Sequence, residues 1–278
     1  GPYEHQVSTE DSYLVIAGNK IRYLQERDPA NLPWVQLEVQ VVIESTGLFT
    51  DEASAQKHIE AGAATVVLSG PAKDPSTPTI VHGVNTNEGK AIFSCASCTT
   101  NNVAPVVEIL DRRIGIEKAI LNTVHAYTAS QSLIDSSNPK NLRMGRAAGL
   151  NLVPTSTGAA KATTKALPHL LDKFDGVAIR TPVPVGSISD LTLVSSSTTS
   201  ICGINDILSE EAKSARYSGV IGVSTQPLVS SDIIKSPLAA LVDLSMTRVV
   251  GGDLIKVMVW YDNEWGFSNQ MMREIRNL

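Results

Sequence analysis

Cys98 stands in the stretch SCASCTTNN, after the apolar run AIF and ahead of a segment that can turn helical. A cysteine at a strand-to-helix junction meets unpaired backbone N–H groups and the positive end of the helix dipole. Both favour the thiolate, the form that attacks carbon. Two other readings compete. Free cysteines are often simply buried as packing residues. Cys95 and Cys98 also form a CxxC pair, the spacing of redox dithiols, although no second pair completes a zinc site. His125 closes the β-branched stretch ILNTVHAY and is the residue type that takes a thiol proton and returns it near neutral pH. Arg180 ends GVAIR before Thr181 and Pro182, and Thr157-Gly158 opens a helical segment. A guanidinium fork and a helix N-terminus both bind phosphate oxygens, so with Thr99 and Thr128 these residues form a candidate phosphate set.

These residues are far apart in sequence, so the fold must bring them together. Residues 12–25 read as a hairpin turning at Gly18-Asn19, and QVVIESTG (40–47) as an apolar strand running into a glycine turn. A helix is expected over 51–63, capped by Asp51 and stopped by Gly62. Strands follow at 64–70, at IVHGVN and at AIFS, and strand–helix–strand order is the signature of a mostly parallel α/β sheet. Beyond Cys98 the pattern changes to long strands at 119–127, 176–182, 187–196 and a pair within 246–262 turning at Gly251-Gly252. Several alternate apolar and polar residues, as in a sheet with one covered face. Helices are expected over 156–171, 204–217 and 264–278, and Pro105 should bend the helix after Cys98 or leave its first turn irregular. The polar segment 128–151 is long for a loop, which points to function. A domain change falls near residue 97.

The 278 residues carry 42% hydrophobic side chains and a net charge of −5, with 23 scattered Lys and Arg, which argues against nucleic acid or an anionic membrane as the main partner. No apolar run approaches the roughly 18 residues that span a bilayer. Three cysteines suit a reducing cytoplasm rather than a disulfide scaffold. Neither GxGxxG nor GxxxxGK[ST] occurs.

Seven motifs in order then become informative: QERDPANLPW (25–34), VVIESTGLFT (41–50), ASCTTN (96–101), TVHAYTASQ (123–131), PTSTGAAKA (154–162), AIRTPVP (178–184) and WYDNEWGFSN (260–269). Together they resemble phosphorylating glyceraldehyde-3-phosphate dehydrogenase over essentially the whole chain. The resemblance implies an α/β fold. It comprises a truncated Rossmann-type dinucleotide-binding domain (1–97) and an α+β catalytic domain with a large mixed or antiparallel sheet (98–263). A C-terminal helix (264–278) packs back on the first domain. It implies that Cys98 is the nucleophile and His125 the base, which overrides the packing reading. Thr128 and Arg180 resemble the site for the substrate's phosphate, and Ser97, Thr99, Thr157 and Gly158 the site for attacking inorganic phosphate. Ser45, Gly47, Phe49, Ser69 and Asn263 resemble cofactor contacts, with Asn263 fixing the nicotinamide carboxamide. No metal is implied. The loop at about 128–151 resembles the family's S-shaped loop at a subunit interface, which implies a homotetramer.

The implied reaction converts glyceraldehyde 3-phosphate and inorganic phosphate to 1,3-bisphosphoglycerate, through a Cys98 hemithioacetal and thioester, with NAD as cofactor. Erythrose-4-phosphate dehydrogenase shares the Cys and His and is the alternative within the class. A cofactor-free thiol acyltransferase or acyl-phosphatase and a non-catalytic interaction protein are alternatives outside it. Several departures bear on these expectations. The family's opening strand, glycine loop and helix are missing, so an N-terminal truncation of roughly fifty residues, somewhat more than one βαβ unit, is expected, with weak cofactor binding. Gly1-Pro2 opens the chain without a Met. Asn102 replaces the second cysteine common in relatives, and Cys95 replaces a common Asn. Met144 lies where some relatives carry a further arginine, and Phe267 where Tyr is usual. Gly186-Ser187 follows Pro-Val in place of the usual Asn-Val-Ser. The small pair Ser136-Ser137 leaves room for the 2′-phosphate of NADP.

Overall fold

A computed structural model describes residues 3–278, so the Gly1-Pro2 start lies outside the described residues. The chain opens with a three-stranded antiparallel sheet, β1 (Val7–Glu10), β2 (Tyr13–Ile16) and β3 (Asn19–Arg22). The hairpin at Gly18-Asn19 forms as expected, and β1 adds a strand that its four exposed residues did not announce.

A parallel sheet of β4 (Val41–Glu44), β5 (Thr65–Leu68) and β6 (Ile92–Ser94) follows. Successive side chains of a strand point to opposite faces. Val66, Leu68 and Ile92 therefore pack with Ala55 of α1 (Glu52–Glu60) on one side, while Val67 and Phe93 face Met271 on the other. Asp51 caps α1 by accepting the Ser54 N–H at 2.9 Å. Gly62 ends it at φ +111, where a Cβ would lie 2.2 Å from the Val35 side chain. Met271 comes from α5 (Trp265–Ile275), so the C-terminal helix lies on this first sheet, with Phe267 and Ile275 beside it.

The second half is a seven-stranded mixed sheet in the order β11-β12-β13-β10-β7-β9-β8. Its strands are β7 (Ile116–Ala126), β8 (Val153–Ser156), β9 (Phe174–Thr181), β10 (Ser187–Ser195), β11 (Ile221–Ser224), β12 (Ala240–Val250) and β13 (Leu254–Tyr261). One face carries Leu121, Leu191, Leu193, Val257 and Val259 against α2 (Cys98–Ile114), α3 (Ala159–Ala166) and α4 (Ile201–Glu211). The other face carries no helix among the described residues and exposes Ile120 and Val177. Val81 and Val84, from the first half, enter the same core as α2.

Three local expectations are corrected. Residues 80–85 are turns rather than a strand, because Asn85 accepts the Val81 N–H and donates to the Thr79 carbonyl, both at 2.8 Å, curling the chain. The helix expected over 156–171 is shorter, since β8 runs to Ser156 and Pro168 ends α3. The helix expected over 204–217 begins earlier, at Ile201, where Ser200 caps it, and stops at Glu211. Pro105 lies inside the 17-residue α2, past its first turn. No helix is long and apolar enough to cross a membrane among the described residues.

Glu108 anchors α2 to the segment after α4. Its carboxylate accepts Arg112 Nε at 2.9 Å and Arg216 Nη1 at 3.0 Å, together with a short bond from the buried Tyr217 hydroxyl. Glu108→Ala strands the buried Tyr217 hydroxyl and takes one carboxylate from Arg112, which keeps Glu211, and from Arg216, which keeps the Gly83 and Val84 carbonyls. After discounting the half-exposed Arg112 for solvent screening, we expect a loss of about 2–3 kcal/mol. A lowered urea midpoint at unchanged m-value measures it.

Candidate active site

The chain leaves β6 through a tight turn. Ala96 adopts φ +59, a conformation that alanine rarely takes. The turn is braced: Ser94 Oγ accepts the Ala96 N–H at 3.0 Å, and Asn101 Nδ2 donates to the carbonyls of Cys95 (2.8 Å) and Ser97 (3.0 Å). Ser97 then caps α2, its hydroxyl accepting the Thr100 N–H at 3.2 Å. Cys98 is therefore the first residue of a helix that is buried from Thr99 to Leu110. Asn102, one turn on, is buried and donates to the Ala239 and Trp260 carbonyls at 3.2 and 3.3 Å.

The turn sends the two cysteines in different directions. Cys95 packs with Val67, Phe93 and Met271, and burial pushes its thiol up to about 12, with Glu274 adding to the effect. Cys98 is half-buried, and its sulfur lies 3.4 Å from His125 Nε2. A redox pairing of the two cysteines has no support in this arrangement.

His125 is 3% exposed and is delivered by sheet register, since the parallel pairing of β7 and β9 sets His125 beside Arg180. Arg180 Nη1 reaches His125 Nδ1 at 2.7 Å and the Ala126 carbonyl at 3.0 Å. A guanidinium only donates, so in this contact Nδ1 is an acceptor and the ring proton sits on Nε2, facing the sulfur. The same Nδ1 lies 2.7 Å from the Ala126 carbonyl and would donate to it if Arg180 moved away. Burial, then the charge of Arg180, lowers His125 to about 4, so the ring is neutral at pH 7. Burial pushes the Cys98 thiol up, and Thr99 and Arg180 pull it back.

The remaining phosphate candidates divide. Thr128 is half-buried just past the end of β7, its hydroxyl 3.0 Å from that of Ser130. Thr157 and the exposed Gly158 open α3, with the Thr157 hydroxyl accepting the Ala159 N–H at 3.2 Å. Thr99 is the most enclosed of these residues, and its hydroxyl lies 3.9 Å from Cys98 Sγ. It is 4% exposed and bonded at 2.9 Å to the Tyr261 hydroxyl, which also meets Thr123 at 2.8 Å. The inward turn of the first helical residues takes the Thr99 side chain into the core. Met144 is buried and brings no charge.

Ser45, Gly47 and Phe49 follow the carboxyl end of β4, and Ser69 follows that of β5, one strand away from the turn carrying Cys98. Ligands of open parallel sheets bind in the crevice at these ends. Glu44 holds the loop by accepting the Thr46 N–H at 2.7 Å, and is itself met by His58 Nε2 at 3.2 Å. His58 Nδ1 accepts from Trp34 Nε1 at 3.1 Å, and the His58 ring stacks edge-on with Phe49. Asn263 Oδ1 accepts the Gly186 N–H and the Ser187 hydroxyl, both at 3.1 Å, which turns Nδ2 outward as a donor. A fixed amide donor and a crevice at the strand ends fit the nicotinamide half of a dinucleotide. Sequence reasoning missed Tyr261, Glu44, His58 and Ser187. Each is an ordinary strand or helix residue whose partner is remote in sequence, so no local signal marks it.

Comparison with known proteins agrees with this geometry. Residues 97–263 match the family described as glyceraldehyde 3-phosphate dehydrogenase, C-terminal domain, and residues 1–52 match its NAD binding domain. The chain is 45% identical over 260 residues to glyceraldehyde-3-phosphate dehydrogenase A, chloroplastic, of Scenedesmus vacuolatus, covering 92% of this chain and 82% of that protein. It is 46% identical over 277 residues to glyceraldehyde-3-phosphate dehydrogenase of Mycobacterium leprae, covering 98% and 80%. With the Streptomyces coelicolor enzyme of the same name it shares 43% over 276 residues, covering 98% and 82%. The chain belongs to the glyceraldehyde-3-phosphate dehydrogenase family.

Proposed function

We propose that this chain catalyses the phosphorylating oxidation of glyceraldehyde 3-phosphate to 1,3-bisphosphoglycerate. The observation that carries the reading is the 3.4 Å contact of Cys98 Sγ and His125 Nε2 at the start of α2, with Arg180 alongside. The sulfur attacks the aldehyde carbon, and the hemithioacetal oxygen is stabilised by the Cys98 N–H at the helix N-terminus. Bound NAD or NADP supplies the hydride acceptor. His125 Nε2 takes the hydroxyl proton as the carbon–hydrogen bond breaks, leaving a thioester on Cys98. Inorganic phosphate then attacks the thioester carbon, the acyl phosphate departs, and the Cys98 thiolate returns. A thiolate is a fair leaving group as well as a soft nucleophile, which a serine alkoxide is not.

Arg180 and Thr128 hold the substrate's phosphate in this reading, and Ser97, Thr99, Thr157 and Gly158 surround the attacking one. Phosphate binding draws Arg180 from His125 Nδ1, so that Nδ1 donates to Ala126 and Nε2 becomes the acceptor that the base step needs. Ser45, Gly47, Phe49, Ser69 and Asn263 hold the cofactor, and the small Ser136-Ser137 pair leaves NADP open beside NAD. The division into cofactor residues 1–97, catalytic residues 98–263 and a returning helix is kept. Three free cysteines suit the cytoplasm. A homotetramer is supported by exposed Leu133, Ile134, Leu142, Leu150 and Leu152 around the long loop, and by Ile120 and Val177 on the uncovered sheet face.

In a coupled assay with NAD and phosphate we expect turnover of glyceraldehyde 3-phosphate at a higher kcat/KM than erythrose 4-phosphate. Cys98→Ser should lower kcat by at least about 10³-fold. Acyl-phosphate hydrolysis without any NAD-dependent oxidation would replace this reading with the acyltransferase one.

Arg180 lowers the thiol of Cys98, so Arg180→Met moves that thiol further up and leaves less thiolate at pH 7. Alkylation of Cys98 by iodoacetamide should slow about tenfold at pH 7, with its pH profile displaced upward, while Cys95 stays unlabelled. An unchanged profile would remove Arg180 from the activation of the thiol.

For assembly, sedimentation velocity should find a tetramer, and Val177→Asp should shift it to smaller species at micromolar protein. A monomeric wild-type chain would refute the assembly.

A further inference from the structure

Glu44 and His58 are each 4% exposed, and the reaction at Cys98 uses neither. They belong to one chain of hydrogen bonds whose directions are fixed. The indole of Trp34 only donates, so His58 Nδ1 accepts from Trp34 Nε1 at 3.1 Å. A ring that accepts at Nδ1 carries its proton on Nε2, and Nε2 donates to Glu44 Oε2 at 3.2 Å. The other oxygen, Oε1, accepts the Thr46 N–H at 2.7 Å and the Thr46 hydroxyl. Thr46 Oγ accepts the Leu48 N–H at 3.1 Å, and Phe49 meets the His58 ring edge-on with centroids 6.3 Å apart. The Glu44 backbone carbonyl accepts the Ser69 N–H at 3.0 Å. Residues 45–48 are exposed, so hydrogen bonds to Glu44 rather than burial set the shape of the loop after β4. Glu44 accepts on both oxygens. Glutamine in its place has one acceptor and sets an NH2 against a donor. His58 accepts at one end and donates at the other, a pattern that the oxygen and NH2 of glutamine reproduce.

We propose that His58 is a positioning residue for the cofactor, acting through Glu44 to hold the loop 45–49 and Ser69 in the form that a dinucleotide meets. The proposal rests on the reading that Ser45, Gly47, Phe49 and Ser69 line the cofactor crevice. Without the His58 N–H, one buried oxygen of Glu44 loses its partner, the carboxylate turns to another donor, and Thr46 moves with it. The effect falls on binding rather than on the chemical step. Cys98, His125 and Arg180 lie on α2, β7 and β9 and share no hydrogen bond with Glu44 or His58 among the described residues.

The test compares the full chain with His58→Ala, His58→Gln and Glu44→Gln. NAD affinity is read by isothermal titration calorimetry, and kcat at saturating NAD in the coupled assay. We expect His58→Ala and Glu44→Gln to weaken NAD about tenfold, the scale of one buried hydrogen bond to a charged group, with kcat changed less than about twofold. His58→Gln should return the affinity to within about twofold of wild type, a rescue that a purely structural role for the imidazole does not give. Nitrogen-15 NMR of the cofactor-free chain should find the His58 ring protonated at Nε2 and bare at Nδ1. Unchanged affinity in His58→Ala, a protonated Nδ1, a kcat that falls as far as the affinity, or a His58→Gln variant as weak as His58→Ala each overturns the proposal. If His58→Ala does not fold, equal affinities of the two glutamine variants overturn it. A wild-type chain with no saturable NAD binding and a bare Nδ1 overturns the underlying cofactor reading, and the role of His58 with it, while the bonded chain itself stands.

Discussion

The turn between β6 and α2 is the constraint on which the site depends. Three residues, 95–97, reverse the chain from a buried strand into a buried helix, and Ala96 at φ +59 makes that possible. The left-handed conformation costs of order 1 kcal/mol for a residue with a Cβ. Asn101, Ser94 and Ser97 offset it by satisfying the turn's donors and acceptors. The outcome is a cysteine at the one position of a buried helix where backbone N–H groups are still free. Cys95, three residues earlier, is forced to the opposite side and becomes part of a core. The same turn thus separates a half-buried thiol beside His125 from one enclosed in an apolar cluster.

The large sheet supplies what the turn lacks. Parallel pairing of β7 with β9 sets His125 and Arg180 side by side, and antiparallel pairing of β10 with β13 sets Ser187 opposite Tyr261. A one-residue slip of β7 would turn His125 to the uncovered face and bring Val124 to the sulfur. Tyr261 secures the inner arrangement, bonding Thr99 of the helix and Thr123 of β7, and its ring meets that of His125 edge to face with centroids 5.8 Å apart. Helix and sheet are therefore joined by side chains at the level of the reacting atoms, not only by apolar packing below them.

Much of this was legible in the sequence, for reasons that vary by residue. Asp51 and Gly62 bracket α1 because capping and left-handed termini are local chemistry, and the hairpin at Gly18 is local for the same reason. The long strands showed their alternation. The short strands β1, β8 and β11 did not, since four residues carry too little periodicity to separate strand from loop. Residues 80–85 misled because an apolar run looks like a strand until Asn85 curls it. Cys98, His125 and Arg180 were legible as candidates through motif order, whereas their meeting depends on register that no local pattern records.

The shared core has a further consequence. Val81 and Val84 of the first half pack in one cluster with α2, α3, α4 and the inner face of the large sheet. The helix that begins at Cys98 thus lies at the centre of the largest apolar cluster among the described residues. Because the most enclosed elements of a fold open last, its amides are expected to exchange with solvent more slowly than those of the largely exposed loop past Thr128.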